Sequence, residues 1–351
     1  MWRKGNISAL FPYILLFALS SALVLGQDFQ LRTKVDLVVV PVSVRDANGS
    51  LVPNLKQDDF TVLEDGRLQT ISNFSTDPQP LSAVVLIDSG MGGGELRRLS
   101  LVSGTLFSQF SENDEVEVYR YDHFVTKLSD FTNNRQILAK GYDSVRQIAE
   151  SKPAGNDVGK AVEPTGLGWI LDHTQIGTNG APPNPTVPNT NPAPPPPNKA
   201  AAVSRVLHDA VFTAVTDLEK RPNNRRKIVI LISDGQVSGT NEHTQAEIST
   251  HLLRDGIQIY AVGTDLKLFE HMTVLNSYTR STGGTVFDGG KEESMAASFS
   301  QLVDQARDQY VLGYSSNNEL TGTRPVLRKL EVKVSEKKLK TTYRLAYLQY
   351  P

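Results

Sequence analysis

The sequence predicts an α/β protein: a doubly wound, mainly parallel sheet flanked by β-rich segments at both ends. Three observations carry this. Ala83–Ile87 (AVVLI) and Lys227–Ser233 (KIVILIS) are almost unbroken apolar runs, as expected of strands buried on both faces. Segments with apolar residues at helical spacing alternate with such runs, the pattern of an open parallel sheet covered by helices. The two ends of the chain instead hold β-branched runs, some alternating with polar residues, broken by turn chemistry.

Composition sets the outer bounds. The chain has 351 residues, 36 basic and 38 acidic, for a net charge of −2. At about 100–200 residues per domain, this is two domains or one large domain with additions. A near-neutral chain has no basic field for nucleic acid, so that partner class is not expected. Cysteine is absent, which excludes a disulfide scaffold, a thiolate metal site and a cysteine nucleophile. Arg3 and Lys4 precede an apolar run, Ala9–Leu25, and the first acidic residue is Asp28. This pattern reads as a secretory signal, with cleavage after Gly26 and a mature chain from Gln27. The alternative is an uncleaved anchor, but Pro12 leaves only Tyr13–Gly26, short of the about 20 residues a bilayer crossing takes. An exported protein is expected, periplasmic, secreted or at the cell surface, with no membrane span after signal cleavage.

The elements run in order along the chain. Val35–Val44 is a strand; Asp46-Ala47-Asn48-Gly49 then supplies a hairpin turn. Phe60–Leu63 and Thr70–Phe74 are short strands on either side of Asp65-Gly66. So few strands are marginal alone, and the head is expected to pack on the segments C-terminal to it. Ala83–Ile87 is the first buried strand and runs through Asp88 into Gly90-Met91-Gly92-Gly93-Gly94. Glu95–Phe110 has helical spacing, Asp114–Tyr121 and Phe124–Leu128 read as strands, and Asn134–Ser151 as a helix. The insert 153–199 holds nine prolines between positions 182 and 197 amid Asn, Thr and Gly, and reads as disordered, with Trp169-Ile170-Leu171 its apolar patch. A helix is predicted over Ala201–Leu218, then strand Lys227–Ser233, helix His243–Arg254, strand Gln258–Thr264, helix Leu268–Arg280, strand Thr285–Phe287 and helix Met295–Ala306. The tail returns to strands at Gln309–Tyr314, Arg328–Val334 and Thr341–Leu348. The domain reading is a signal over 1–26, a β-rich head over 27–78, an α/β domain over 79–314 and a β-rich tail over 315–351. Head and tail are candidates to pair as one subdomain.

In an open α/β sheet, ligands bind at the carboxyl ends of the central strands. Two strands here end in an aspartate with glycine close behind: Asp88-Ser89-Gly90 and Asp234-Gly235. Carboxylates so placed are candidate ligands for a hard cation such as Mg²⁺, although Asp and Gly also serve simply to leave a strand.

Several segments resemble the von Willebrand factor type A domain, and more closely the secreted, acidobacterial-type VWFA-related variant. They are Val35–Phe74, which contains VPVSVRDANGSLVPNLKQDDFTVLEDGRLQTISNF; Ala83–Gly92; Leu207–Val215; Lys227–Gly239, which opens KIVILISDG; and Gln309–Tyr314. The resemblance implies a Rossmann-like fold and a metal-ion-dependent adhesion site. In that family the site has an Asp-x-Ser-x-Ser loop after the first strand, a Thr before a later helix and an Asp after the fourth strand. The metal's open position takes a carboxylate from a partner protein, and the family is generally a binding module. Asp88 and Asp234 match the two aspartates. The serine positions fall on Gly90 and Gly92, and the threonine position, four before Asp209 in SRVLHDA, falls on Arg205. Two carboxylates are few for a cation that takes six or so oxygens, whereas a guanidinium can bridge two carboxylates. The expectation is a degenerate site with Arg205 in the cation's place between Asp88 and Asp234. The alternative is a shortened first loop that brings Ser89 to the first serine position and keeps some Mg or Mn binding.

Enzyme readings fit less well. Gly90-x-Gly92 between strand and helix resembles part of a dinucleotide fingerprint, but Glu95 stands at the third glycine position. Ser89 is not in a G-x-S-x-G elbow. None of the six histidines forms H-E-x-x-H; His243 and His251, eight apart, have the spacing to share a helix face, and His208 lies near the expected binding loops. The chain is therefore read as an exported, non-enzymatic interaction module with a protein partner, binding through Asp88–Gly94, the insert and Asp234–Gly239. A metal-dependent adhesion domain is the alternative, and a nucleotide-dependent enzyme a third.

Overall fold

The computed structural model describes residues 37–152, 205–237, 240–265, 269–320 and 322–351, with the backbone alone for 269–271. The signal or anchor (1–26), the insert with Trp169, and the end of the Asp234–Gly239 loop lie outside the described residues. Among the described residues no helix is long and apolar enough to cross a membrane.

The head begins with β1 (Leu37–Arg45), which buries Val38, Val40, Val42 and Val44. Its turn is held by Asp46 Oδ1, which accepts the N–H groups of Asn48 (2.8 Å) and Ser50 (2.9 Å). Gly49 supplies the positive φ of +84° that this turn requires. A 3-10 turn over Gln57–Asp59 leads into β2 (Phe60–Glu64). The tight hairpin to β3 (Arg67–Gln69), a strand the sequence reading does not contain, turns on Asp65 and Gly66, both at positive φ. β4 (Ile71–Ser75) closes the head.

The α/β region then runs β5 (Leu81–Asp88), α1 (Gly93–Ser108), β6 (Glu115–Tyr121), β7 (Val125–Thr132), α2 (Arg135–Ser151), α3 (Leu207–Glu219), β8 (Arg226–Ser233), α4 (Gln245–Asp255), β9 (Gln258–Gly263), α5 (Phe269–Thr282), β10 (Val286–Asp288) and α6 (Glu292–Arg307). Its six-stranded sheet has the order β10-β9-β8-β5-β6-β7. Every pairing is parallel except that of β7 with β6, an antiparallel edge. Each residue of β5 and β8 is buried, because helices cover both faces. Ala83, Val85 and Ile87 point to a core shared with α1, α2 and α6, whereas Val84 and Leu86 point to one shared with α3, α4 and α5. This is a doubly wound α/β architecture. From β5 the chain winds outward one way and from β8 the other. The switch point between these two neighbours opens the crevice where such sheets place ligands.

The tail is β11 (Tyr310–Ser315), β12 (Val326–Val334), β13 (Lys340–Tyr343) and β14 (Ala346–Gln349). Head and tail interleave in two four-stranded sheets, β13-β1-β11-β4 and β14-β12-β2-β3. The two share one core of valines, Phe60, Tyr310, Leu312, Tyr314 and Tyr347. β11, which the sequence reading set within 79–314, is hydrogen-bonded between β1 and β4. The single predicted strand Thr341–Leu348 is two strands, because the chain changes sheets at Arg344–Leu345. There Arg344 bridges Thr282, and the Leu345 N–H reaches Ser281 O. Inside this sandwich Glu64 is fully buried and accepts from Ser316 Oγ (2.6 Å), Tyr314 OH (2.7 Å), Asn318 Nδ2 (2.7 Å) and Tyr347 OH (2.9 Å). Burial opposes its charge, but these donors outweigh burial and hold its pKa below the ordinary value.

Candidate functional site

β5 and β8 lie side by side, with Ile87 in register with Ile232. Their ends deliver Asp88 and Asp234 to the same crevice. Asp88 is 0% exposed. Its Oδ1 accepts the Gly90 N–H (2.9 Å) and its Oδ2 accepts Ser233 Oγ (2.9 Å). Burial, helped by the neighbouring Asp234 charge, pushes its carboxyl up to about 7, against the pull of Arg205. Asp234 is held differently. Arg205 Nη1 lies 2.7 Å from each of its oxygens, and the Gln236 N–H donates to Oδ1 (2.9 Å). Gly235, at φ +80°, makes this turn and donates its N–H to Ser233 Oγ (2.9 Å).

Arg205 is 3% exposed. Its second terminal nitrogen, Nη2, donates to the carbonyl of Gly90 (2.8 Å). The expected fork across both carboxylates is thus corrected: the guanidinium clasps Asp234 and the backbone of the first loop. Asp88 instead is satisfied by Ser233 and the Gly90 N–H. The predicted helical start is corrected too, since α3 begins at Leu207. Arg205 and Val206 precede it in non-helical conformation, with the Val206 N–H on Asp122 O (3.0 Å). That placement lets the guanidinium enter the crevice.

Gly90 explains how an arginine fits. A Cβ on Gly90 would stand 2.9 Å from Arg205 Nε and 3.0 Å from Asp88 Oδ1, so the serine of the adhesion-site pattern and this arginine exclude one another. Gly92 is equally close-packed: a Cβ there would lie on the Glu95 carboxylate. Ser89 points away. Its Oγ donates toward Tyr121 O (3.0 Å) and Asp122 Oδ2 (3.1 Å), so the shortened-loop alternative does not bring its hydroxyl between Asp88 and Asp234.

Two contributors were not legible as such in the sequence. Ser233, within the apolar run itself, is the hydroxyl that holds Asp88. Lys152, at the end of α2, donates from Nζ to Ser89 O (2.7 Å) and Met91 O (2.8 Å); no spacing rule links it to a loop some sixty residues earlier. His208, His243 and His251 make their contacts elsewhere. His243 precedes α4 and bonds Asp209 (3.0 Å), His251 bonds Glu219 (2.6 Å), and the two flank the Phe212 ring. His208 meets the Tyr278 hydroxyl (2.7 Å).

This donor set does not fit a hard divalent cation. The loop hydroxyls are missing, a cation fills the space beside Asp234, and both Asp88 oxygens already accept hydrogen bonds. Among the described residues no group of three or more His, Asp or Glu is placed to hold a metal ion.

The sequence matches no family model and no curated protein. Among solved structures, proximal thread matrix protein 1 from the mussel byssus is similar at TM-score 0.34 and 14% identity, over 67% of this chain and 49% of that one. This chain therefore spans about half of the mussel protein's length. A conserved hypothetical protein, BatB from Bacteroides thetaiotaomicron, gives TM-score 0.37 and 11% identity over 64% of this chain and 98% of that one. The SpRpn10 VWA domain gives 0.33 and 12% over 64% and 95%.

Proposed function

We propose that this chain is an exported, non-enzymatic protein-interaction module of the von Willebrand factor A type whose adhesion site is degenerate, with Arg205 in the place of the metal. The observation that carries the reading is the buried pairing of Arg205 with Asp234 and Gly90 O, at the one position where the family's pattern has a metal-ligating threonine. The N-terminal signal pattern supports export. Recognition then rests on shape, polar contacts and apolar anchors. Phe124, 76% exposed on the turn whose Asp122 touches Ser89, is one such anchor beside the crevice.

The Glu95 carboxylate lies over Gly92 in the first turn of α1. It fills the helix N-terminus where a dinucleotide's phosphates would sit, which favours a binding module over a nucleotide enzyme. Melting of the mature chain in EDTA, Mg²⁺ and Mn²⁺, with Arg205→Thr alongside, tests the reading. The native chain is expected to show no ion response, and the variant to gain one. A ligand at a hundred times its Kd adds about 2.7 kcal/mol, a shift well within reach of a melting curve. A rise in the native chain would restore the metal-dependent adhesion reading, and saturable binding of a dinucleotide would restore the enzyme reading.

A further inference from the structure

A metal ion at such a site does two jobs. It neutralises the carboxylates and it orders the loop that ligates it. Arg205 takes the first job against Asp234, and through Gly90 O it takes part of the second. We propose that Lys152 completes the second: with Arg205 it forms a two-point cationic clamp that fixes the 88–92 loop in one conformation without any metal. This rests on the reading of Arg205 as the cation substitute and adds a positioning residue to it.

The geometry is specific. Three successive carbonyls of the loop, those of Ser89, Gly90 and Met91, are each held by a cationic side chain: Lys152, Arg205 and Lys152 in turn. Charge-assisted hydrogen bonds of this kind are stronger than neutral ones, and two cations approaching from different elements leave the loop little freedom. Both clamps are themselves anchored. Arg97 of α1 donates to the carbonyls of Ala149 (2.8 Å) and Lys152 (3.1 Å), which fixes the end of α2. The Val206 N–H on Asp122 O fixes the residue that follows Arg205.

Burial disfavours the Lys152 ammonium and holds its pKa below the ordinary lysine value; Arg205 adds to that, while Asp88 from β5, Asp122 from the β6–β7 turn and Asp234 after β8 favour the charge. The three carboxylates thus partly offset the cost of placing two cations in one crevice. The loop from Asp88 to Gly92, with Met91 buried beneath it and bonded through its sulfur to Thr264 Oγ1 (3.1 Å), is then a preset surface. It presents one shape to a partner in chelator and in divalent cation alike.

Hydrogen exchange of the mature chain in EDTA tests the clamp. The reporters are the Ser89 and Gly90 amides, which donate to Tyr121 O and Asp88 Oδ1. Lys152→Met keeps the apolar stem and removes the ammonium. It is expected to speed exchange in the 86–92 peptide at least tenfold and to leave the interiors of β5 and β8 protected; Lys152→Arg is expected to restore protection. Equal protection in Lys152→Met and native chains, or no recovery in Lys152→Arg, overturns the clamp. If Lys152→Met fails to fold, competitive acetylation of the native chain decides. Lys152 should react at least tenfold more slowly than the exposed Lys220 and Lys333, and equal rates overturn the proposal. A Mg²⁺ response of the native chain would defeat the Arg205 reading, but the exchange series runs in EDTA and is read separately from it.

Discussion

Asp88 is the residue at which charge and burial conflict most openly. Its carboxyl is fully buried, is held by two hydrogen bonds and titrates near 7 in the fold, against about 3.9 in an unfolded chain. Between those values the native state binds more protons than the unfolded state. The stability that Asp88 contributes is therefore complete below its unfolded pKa and is lost as pH rises through its folded one. Asp88→Asn removes the titrating charge, so the difference in melting temperature between variant and native chains should shift in the variant's favour from pH 4 to 8. A difference that does not change with pH would show that another group carries the effect. Gly90 and Arg205 form a second residue-scale unit, since a side chain at one excludes the guanidinium of the other. Gly90→Ser alone should destabilise by about 1–3 kcal/mol, the usual range for overpacking. In Arg205→Thr the same change should be nearly neutral, a coupling that a double-mutant cycle on urea melts reads directly. Asp88 and Asp234 were legible because each stands at the end of an apolar strand run, whereas Arg205 was reached only through the resemblance, which puts it at the threonine position four before Asp209. Lys152 was not legible, because its partners are backbone carbonyls, which leave no trace in a residue pattern.

At the scale of elements, local chemistry explains most boundaries. α4 starts on a capping box, Thr244 and Glu247, and stops at Gly256 in the left-handed region. α2 starts on Asn134, whose side chain accepts from Gln136 and Ile137. These elements appear in the sequence within a few residues of their true limits. The start of α3 and the break between β13 and β14 do not, because each is set by a distant partner: Asp234 and Gly90 in the first case, α5 in the second. Glu64 is the element-scale counterpart, a carboxylate on β2 that collects donors from β11, the segment after it, and β14. Glu64→Ala would leave those buried donors unpaired and should cost about 3 kcal/mol or more, measured by urea unfolding at pH 7. Its folded pKa is depressed, so this contribution is present above the ordinary glutamate pKa and is lost as pH falls through the folded one. The gap between native chain and Glu64→Ala should therefore narrow in acid; a gap of constant size would contradict the charged network.

Across the whole molecule, Leu37–Pro351 is one compact unit, and a belt of buried polar groups joins the sandwich to the α/β sheet. Gln309 donates to Tyr260 OH of β9 (2.9 Å) and Ser43 Oγ of β1 (3.2 Å), and Arg45 reaches Gln305 of α6 (2.9 Å). Ser43 Oγ of β1 also reaches the carbonyl of Gln305 (3.4 Å). Such a belt couples the two cores. Removal of residues 326–351 takes away β12, β13 and β14 and leaves β2 and β3 without their sheet. The expected result is loss of the native transition of the entire unit. An α/β core that melted at its native temperature after this deletion would show the two layers to be independent.

The doubly wound sheet was legible in the chain, since apolar runs alternating with helically spaced segments fit strands covered by helices on both faces. So were the β-rich ends and the strand-end aspartates, because burial periodicity and turn chemistry are local properties. Three features come from long-range contacts instead: head and tail interleave as one sandwich, Arg205 clasps Asp234 and a carbonyl rather than two aspartates, and Lys152 holds the other side of the same loop. Those outcomes depend on contacts between residues far apart in the chain and on backbone groups that every residue shares, and neither is written in the order of side chains.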